Sequence, residues 1–189
     1  MLFKTILIDP PWPKKKTGSL LADRAFRSAE HVYPTMTIEQ IKAMPIAQYA
    51  DVGAHLWLWI TNGMLPHFAE VMQAWCFTYH APIVWRKPSG NGNFFIHRTE
   101  FLMFGYYKKC YFRRARYMPN DYTWPKEKEH SRKPEGSYQL IESISEEPRL
   151  EIFARRRRDG WHSFGNEIKS DLIIPTREKE TDSRRQRCL

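Results

Sequence analysis

"FKTILIDPPW", residues 3–12, decides how this chain is organised. Phe3 to Ile8 reads as a buried strand, and it runs at once into an acid, two prolines and an indole. Proline has no amide hydrogen for a sheet ladder and its ring fixes φ, so two in succession end a strand abruptly. As packing alone, the motif is a strand-ending turn with a partly buried Trp12.

Working outward, strand-like runs recur at Ala54–Thr61, Thr78–Arg86, Glu100–Tyr107 and Arg149–Arg155. Helical patterns lie between some of them. Thr35–Met44 carries a capping signature, with Thr37 placed to accept from early amides and Gln40 placed to reach back. Asn62–Trp75 has Leu65, Phe68, Ala69, Met72 and Trp75 at helical spacing, and Pro134–Ser145 opens on a proline in its first turn. Strands alternating with helices predict an α/β domain with a mainly parallel sheet covered on both faces. Such sheets bind ligands at the carboxyl ends of their strands, which puts Asp9 to Trp12 and the residues after Phe153 where chemistry takes place. Trp57, Trp59 and Trp75 fall within these patterns and read as core.

The chain of 189 residues suits a single domain, 1–175, followed by a charged tail at 176–189 without apolar periodicity. Residues 13–30 and 117–133 read as long polar connections. A net charge of +9 favours a polyanionic partner. Cys76, Cys110 and Cys188 form no C-x-x-C pair, which argues against a disulfide framework or structural zinc and for a reducing compartment. No apolar run is long enough for a membrane span, and the start of the chain lacks a signal peptide, so the expected location is cytoplasmic.

An acceptor, two prolines and an aromatic ring at a strand end form a rigid slot for a planar amine. Asp9 offers a carboxylate, Pro10 a carbonyl and Trp12 a stacking face. The exocyclic amino group of a nucleobase fits such a slot. Its lone pair is delocalised into the ring, and accepting both of its hydrogens turns that pair toward an electrophile.

With "DPPW" at 9–12 come "YPTMT" at 33–37, "LWLWIT" at 56–61, "RTEFLMFG" at 98–105, "SRKPEG" at 131–136, "LEIFAR" at 150–155 and "GWHSFGNE" at 160–167. In this order they resemble the MT-A type adenine-amino methyltransferase family over about residues 3–168. That family includes the catalytic subunit that methylates adenosine in eukaryotic mRNA and small bacterial and phage enzymes that methylate adenine in DNA. The resemblance implies a Rossmann-like class I methyltransferase fold, permuted so that the catalytic strand precedes the cofactor-binding strand. It implies Asp9, Pro10, Pro11 and Trp12 as catalytic residues. It also implies an S-adenosyl-L-methionine site drawn from Ile8, Asp9, Tyr33, Lys133, Arg155, Asn166 and Glu167. Lys133 would hold the methionine carboxylate, Arg155 the ribose region, and Asn166 with Glu167 the hydroxyls and adenosine. Tyr33 would sit on the loop that closes over cofactor and target, while nearby His31 reads as a solvated loop residue.

Two departures from the larger members carry expectations. Only eight residues precede Asp9, so the wall that encloses the cofactor adenine in the mRNA enzyme must come from elsewhere or from a partner. A zinc finger is also missing. The expected partner is DNA, with RNA as the alternative, gripped by Lys14, Lys15 and Lys16, by "KKCYFRRAR" with Lys108, Lys109, Arg113, Arg114 and Arg116, and by Arg157 and Arg158. A basic edge strand that resists aggregation would give the same 108–116 stretch. A silent nucleic-acid-binding subunit is the competing reading of the whole chain, and a homodimer is left open.

Overall fold

A computed structural model describes residues 1–13, 34–91, 94–112, 117–126 and 132–175. Within these residues seven strands form one sheet in the order β5-β3-β4-β2-β1-β6-β7. They are β1 (Phe3–Ile8), β2 (Ala50–Ile60), β3 (Phe77–Asn91), β4 (His97–Tyr107), β5 (Asp121–Tyr122), β6 (Arg149–Ile152) and β7 (Trp161–Phe164). β1 pairs parallel with β2 and β6, β6 with β7, and β3 with β5, whereas β4 pairs antiparallel with both β2 and β3. β4 therefore runs alone against the other six, and the sheet is mainly parallel. With the DPPW strand first in sequence and β6 and β7 last, this is the permuted Rossmann-like order that the resemblance implies.

Among the described residues three α-helices cover the sheet: α1 (Ile38–Lys42) and α2 (Phe68–Ala74) on one face, α3 (Glu135–Ile144) on the other. Alternation along the central strands divides the core accordingly. Ile6, Ile8, Leu56, Leu58 and Ile60 pack with Ile41, Val71 and Met72, while Leu7, Trp57 and Trp59 pack with Tyr138 and Ile141. Trp57, Trp59 and Trp75 are each 1% exposed, so all three are core.

Local signals decide the helix ends. At α1 the capping box forms as expected: the Gln40 amide donates to Thr37 Oγ1 at 3.1 Å and the Thr37 amide to Gln40 Oε1 at 2.9 Å. The expected helix over 62–75 is split into a 3-10 segment, Asn62–His67, and α2, because Pro66 has no amide to continue an α-helical ladder. Pro134 caps α3 in extended conformation, one position before the first turn.

Other expectations are corrected. The strand predicted over 149–155 stops at Ile152, where Phe153 takes a left-handed φ of 65° and turns the chain. Within 117–133, Asp121 and Tyr122 pair with Val84 and Trp85, and Tyr122 stacks on Trp124 with centroids 4.6 Å apart. Stacking and pairing replace the missing apolar periodicity there. Cys110 is a free, partly buried thiol. Among the described residues no helix is long and apolar enough to cross a membrane, and no cluster of His, Cys, Asp or Glu is arranged to hold a metal.

Candidate active site

The carboxyl ends of β1, β2, β6 and β7 open into one cleft of about 700 Å³. β1 contributes Asp9 to Pro13, the turn after β2 contributes Thr61, Gly63 and Met64, and β6 contributes Phe153 to Arg155. Asn166 and Glu167 follow β7, and Lys133 enters just ahead of α3.

The DPPW turn is braced at each residue after the acid. The Trp12 amide donates to the Pro10 carbonyl at 2.8 Å, and the Met36 amide to the Pro11 carbonyl at 2.9 Å. Trp12 is 8% exposed, and its indole N–H donates to the Trp59 carbonyl at 2.9 Å. This corrects the expectation of an open stacking face, since the ring is chiefly a strut between turn and core. The Pro10 carbonyl keeps a second lone pair for a ligand.

Behind the turn sits a charge network. Lys133 Nζ lies 3.2 Å from Asp9 Oδ1 and 2.9 Å from Glu100 Oε2, and Lys87 Nζ lies 2.9 Å from Glu100 Oε1. Lys133 also stands 5.0 Å over the Trp59 ring. Burial opposes charge on Lys133, but Asp9 and Glu100 prevail and hold its ammonium above the ordinary lysine range. Burial likewise opposes charge on Glu100, where Lys133 and Lys87 prevail and keep the carboxyl below its usual range. For Asp9 burial wins: its carboxyl is raised, with Lys133 pulling it back. Asp9 is thus an acceptor whose charge Lys133 supports most, with Arg155 adding a smaller pull.

The segments after β6 and β7 are tied together closely. The Ala154 amide donates to the Phe164 carbonyl at 2.9 Å, and a Cβ at Gly165 would overlap the Ala154 carbonyl, so glycine alone fits there. Ser170 Oγ accepts from the Gly165 amide at 3.0 Å. Asn166 and Glu167 are thereby held at the cleft opposite Arg155, whose Nε is 3.8 Å from Glu167 Oε1.

Not every expected residue gathers here. Ile8 is fully buried, with its side chain in the core beneath the cleft. Lys108 and Lys109 lie at the other end of the sheet: β4 runs from Phe101 opposite Ile60 to Tyr106 opposite His55, then leaves away from the site. Along a strand that is roughly 15 Å or more from the cleft. Nor is 108–112 an edge strand, since it follows β4 in the sheet interior and seats the Tyr111 ring on Gly53. Arg158 turns inward to Glu135 and Glu142, each within 2.8 Å, and covers the Tyr138 ring, so its guanidinium is committed to holding α3. Arg157 is more exposed and pairs with Asp171 at 2.6 Å. Lys14, Lys15, Lys16, His31, Tyr33, Arg113, Arg114, Arg116 and the tail at 176–189 lie outside the described residues.

Glu100 was not foreseen as a site residue. Its signal was an acid directly before the apolar run Phe101–Phe104. Glu151 was also missed. It is 8% exposed on β6, accepts from the Tyr138 hydroxyl at 2.7 Å, and has no partner for Oε2 among the described residues.

Burial pushes the Glu151 carboxyl up to about 7 against an ordinary 4.5. The folded state therefore favours the protonated acid, so this contribution to stability is complete below pH 4.5 and lost as pH rises through about 7. Glu151→Gln keeps the acceptor for Tyr138 and removes the titration. Its stability relative to the parent should rise between about pH 5 and about pH 8, by up to roughly 3 kcal/mol. Thermal unfolding of both proteins at the two pH values checks this; a constant difference would show that Glu151 titrates normally.

The MT-A70 family pattern matches residues 3–167, nearly the whole described chain. This chain belongs to the MT-A70 family. MT-A70 members are S-adenosylmethionine-dependent methyltransferases, and the sheet above is their Rossmann-like fold in permuted order. Among individual proteins, the chain is 25% identical over 193 residues to the type II methyltransferase M.MunI of a Mycoplasma species, covering 92% of this chain and 82% of that one. It is 28% identical to the mouse N(6)-adenine-specific methyltransferase METTL4 and 25% identical to a probable rice N(6)-adenosine-methyltransferase, MT-A70-like. Those alignments span 37% of the mouse protein and 24% of the rice protein, so the MT-A70 region here corresponds to a minor part of each.

Proposed function

We propose that this chain transfers a methyl group from S-adenosyl-L-methionine to the N6 amino group of adenine in DNA. The observation that carries the reading is the braced DPPW turn, which sets Asp9 and the Pro10 carbonyl side by side at the rim of a cleft that also holds Lys133, Asn166 and Glu167.

The residues present suit that cofactor. A cleft of about 700 Å³ is the size of a small-molecule site. Lys133 uses Nζ on two carboxylates and has a third N–H for the amino-acid carboxylate. Asn166 and Glu167 offer donor and acceptor for ribose hydroxyls, and Pro11, Met64 and Phe153 give apolar walls. When bound, the cofactor supplies an electrophilic methyl on a sulfonium. The chain's own part is orientation. The ionised Asp9 accepts one amino hydrogen and the free lone pair of Pro10 the other, which aims the nitrogen lone pair across the cleft. Lys133 favours the ionised form of Asp9 against burial, which raises its carboxyl. As the amine becomes more acidic on methyl transfer, Asp9 is placed to take its proton.

DNA is favoured over RNA because M.MunI, a type II methyltransferase, aligns over most of both chains, whereas the rice adenosine enzyme aligns over a quarter of its own length. The proposed setting is the cytoplasm of a bacterial or phage-infected cell. Incubating the purified protein with methyl-labelled S-adenosylmethionine and matched DNA and RNA panels tests this. Label is expected on adenine N6 of DNA; label on RNA alone would transfer the chemistry to the other polymer.

A further inference from the structure

The described residues place an unforeseen feature at the site end of the sheet. β2 ends at Ile60, opposite Phe101, yet β3 and β4 continue past that level as a two-stranded arm, with Arg86 pairing Thr99 and Asn91 pairing His97. At three further residues of about 3.3 Å each, the arm stands roughly 10 Å beyond Glu100. Its root is fixed to the site: Glu100 binds Lys133 and Lys87, and Asn62 donates to the Thr99 carbonyl at 2.6 Å. Gly90 lets the strands close, since a Cβ there would meet the His97 carbonyl.

At its end Phe94, Phe95 and Ile96 are 89%, 73% and 67% exposed, and the two phenyl rings meet edge to face at 5.0 Å. Three consecutive exposed apolar residues are costly to keep in water without a partner. Arg86 and Arg98 flank them, Arg86 in an exposed pair with Asp121 that a phosphate can replace.

We propose that the β3–β4 arm is a wedge that enters duplex DNA beside the target, Phe94 and Phe95 filling the stack that adenine leaves while Arg86 and Arg98 hold the flanking phosphates. This rests on the DNA reading above. It answers a need of that reading, because an amine inside a duplex cannot reach Asp9 until its base is expelled, and apolar wedges make expulsion cheaper. A second copy of the chain fits the tip less well. Two aromatics and an isoleucine fall short of the roughly 800 Å² per partner of a stable dimer, and two-fold pairing would bring like-charged arginines together.

The test uses the full chain with Phe94→Ala/Phe95→Ala, alongside Phe94→Trp/Phe95→Trp as the conservative variant. Each is assayed on unmethylated duplex DNA and on the same DNA heat-denatured. The alanine variant should lose about tenfold to a hundredfold of duplex methylation, keep its activity on denatured DNA, and be rescued by tryptophan. Permanganate reactivity of thymines in bound duplex reports opening without any transfer, and should appear with the parent and fade with the alanine variant. Equal loss on both DNA forms, no loss at all, or light scattering that shows a parent dimer split by the alanine variant would overturn the wedge. If the parent methylates RNA alone, the DNA reading fails by itself. The permanganate signal then still decides the arm, supporting it when it depends on the phenylalanines and overturning it when the parent opens no duplex.

Discussion

Asp9→Ala should bind S-adenosylmethionine about as well as the parent protein while methyl transfer falls by on the order of a thousandfold. The carboxylate is proposed to act on the target amine, so its loss is felt in the transition state and scarcely in cofactor binding. The fold is expected to survive. Lys133 keeps Glu100 at 2.9 Å, and the DPPW turn is braced by backbone bonds to Pro10 and Pro11 and by the Trp12 indole on Trp59, none of which uses the Asp9 side chain. Asp9→Asn is the sharper companion, because it preserves shape and removes charge, and it should be nearly as inactive. Calorimetry for the cofactor and single-turnover transfer for the chemistry separate the two quantities. Near-normal turnover would remove Asp9 from the mechanism.

Lys133→Ala should weaken S-adenosylmethionine binding by about 1 to 3 kcal/mol and also change the pH dependence of what activity remains. The lysine has two tasks in this account. One is a charge-assisted hydrogen bond to the cofactor carboxylate. The other is electrostatic support for Asp9, whose carboxyl burial already raises and Lys133 pulls back. Removing the ammonium raises Asp9 further. Because transfer needs the ionised form, activity that rises with pH through the Asp9 titration should do so at higher pH in the variant than in the parent. If the lysine were merely structural, the variant's activity would fall below the parent's by the same factor at every pH. An unshifted profile with unchanged calorimetric affinity would put the cofactor site elsewhere.

The mainly parallel α/β sheet and the end of it that opens into the cleft were legible because they rest on local signals. Buried apolar runs ended by prolines mark β1, a capping box marks α1, and ligand sites at carboxyl strand ends follow from a parallel sheet. What escaped depends on register. Lys108 and Lys109 look suited to phosphate, but the reversed direction of β4 carries them away from the cleft, and direction is not written in composition. The same reversal brings Glu100 to Lys133 from a distant part of the chain. Arg158 sits in a run of four arginines that reads as exposed charge, yet it meets Glu135 and Glu142 across α3, a pairing set by tertiary packing alone. β7, four residues long, is too short for periodicity to announce.

Nucleoside mass spectrometry after expression in a host lacking its own adenine methylation tests the central claim most directly. The parent protein should leave N6-methyladenine in that host's DNA, and Asp9→Ala at equal expression should leave none. Methyladenosine in RNA with none in DNA, or undiminished DNA methylation by the Asp9 variant, would contradict it.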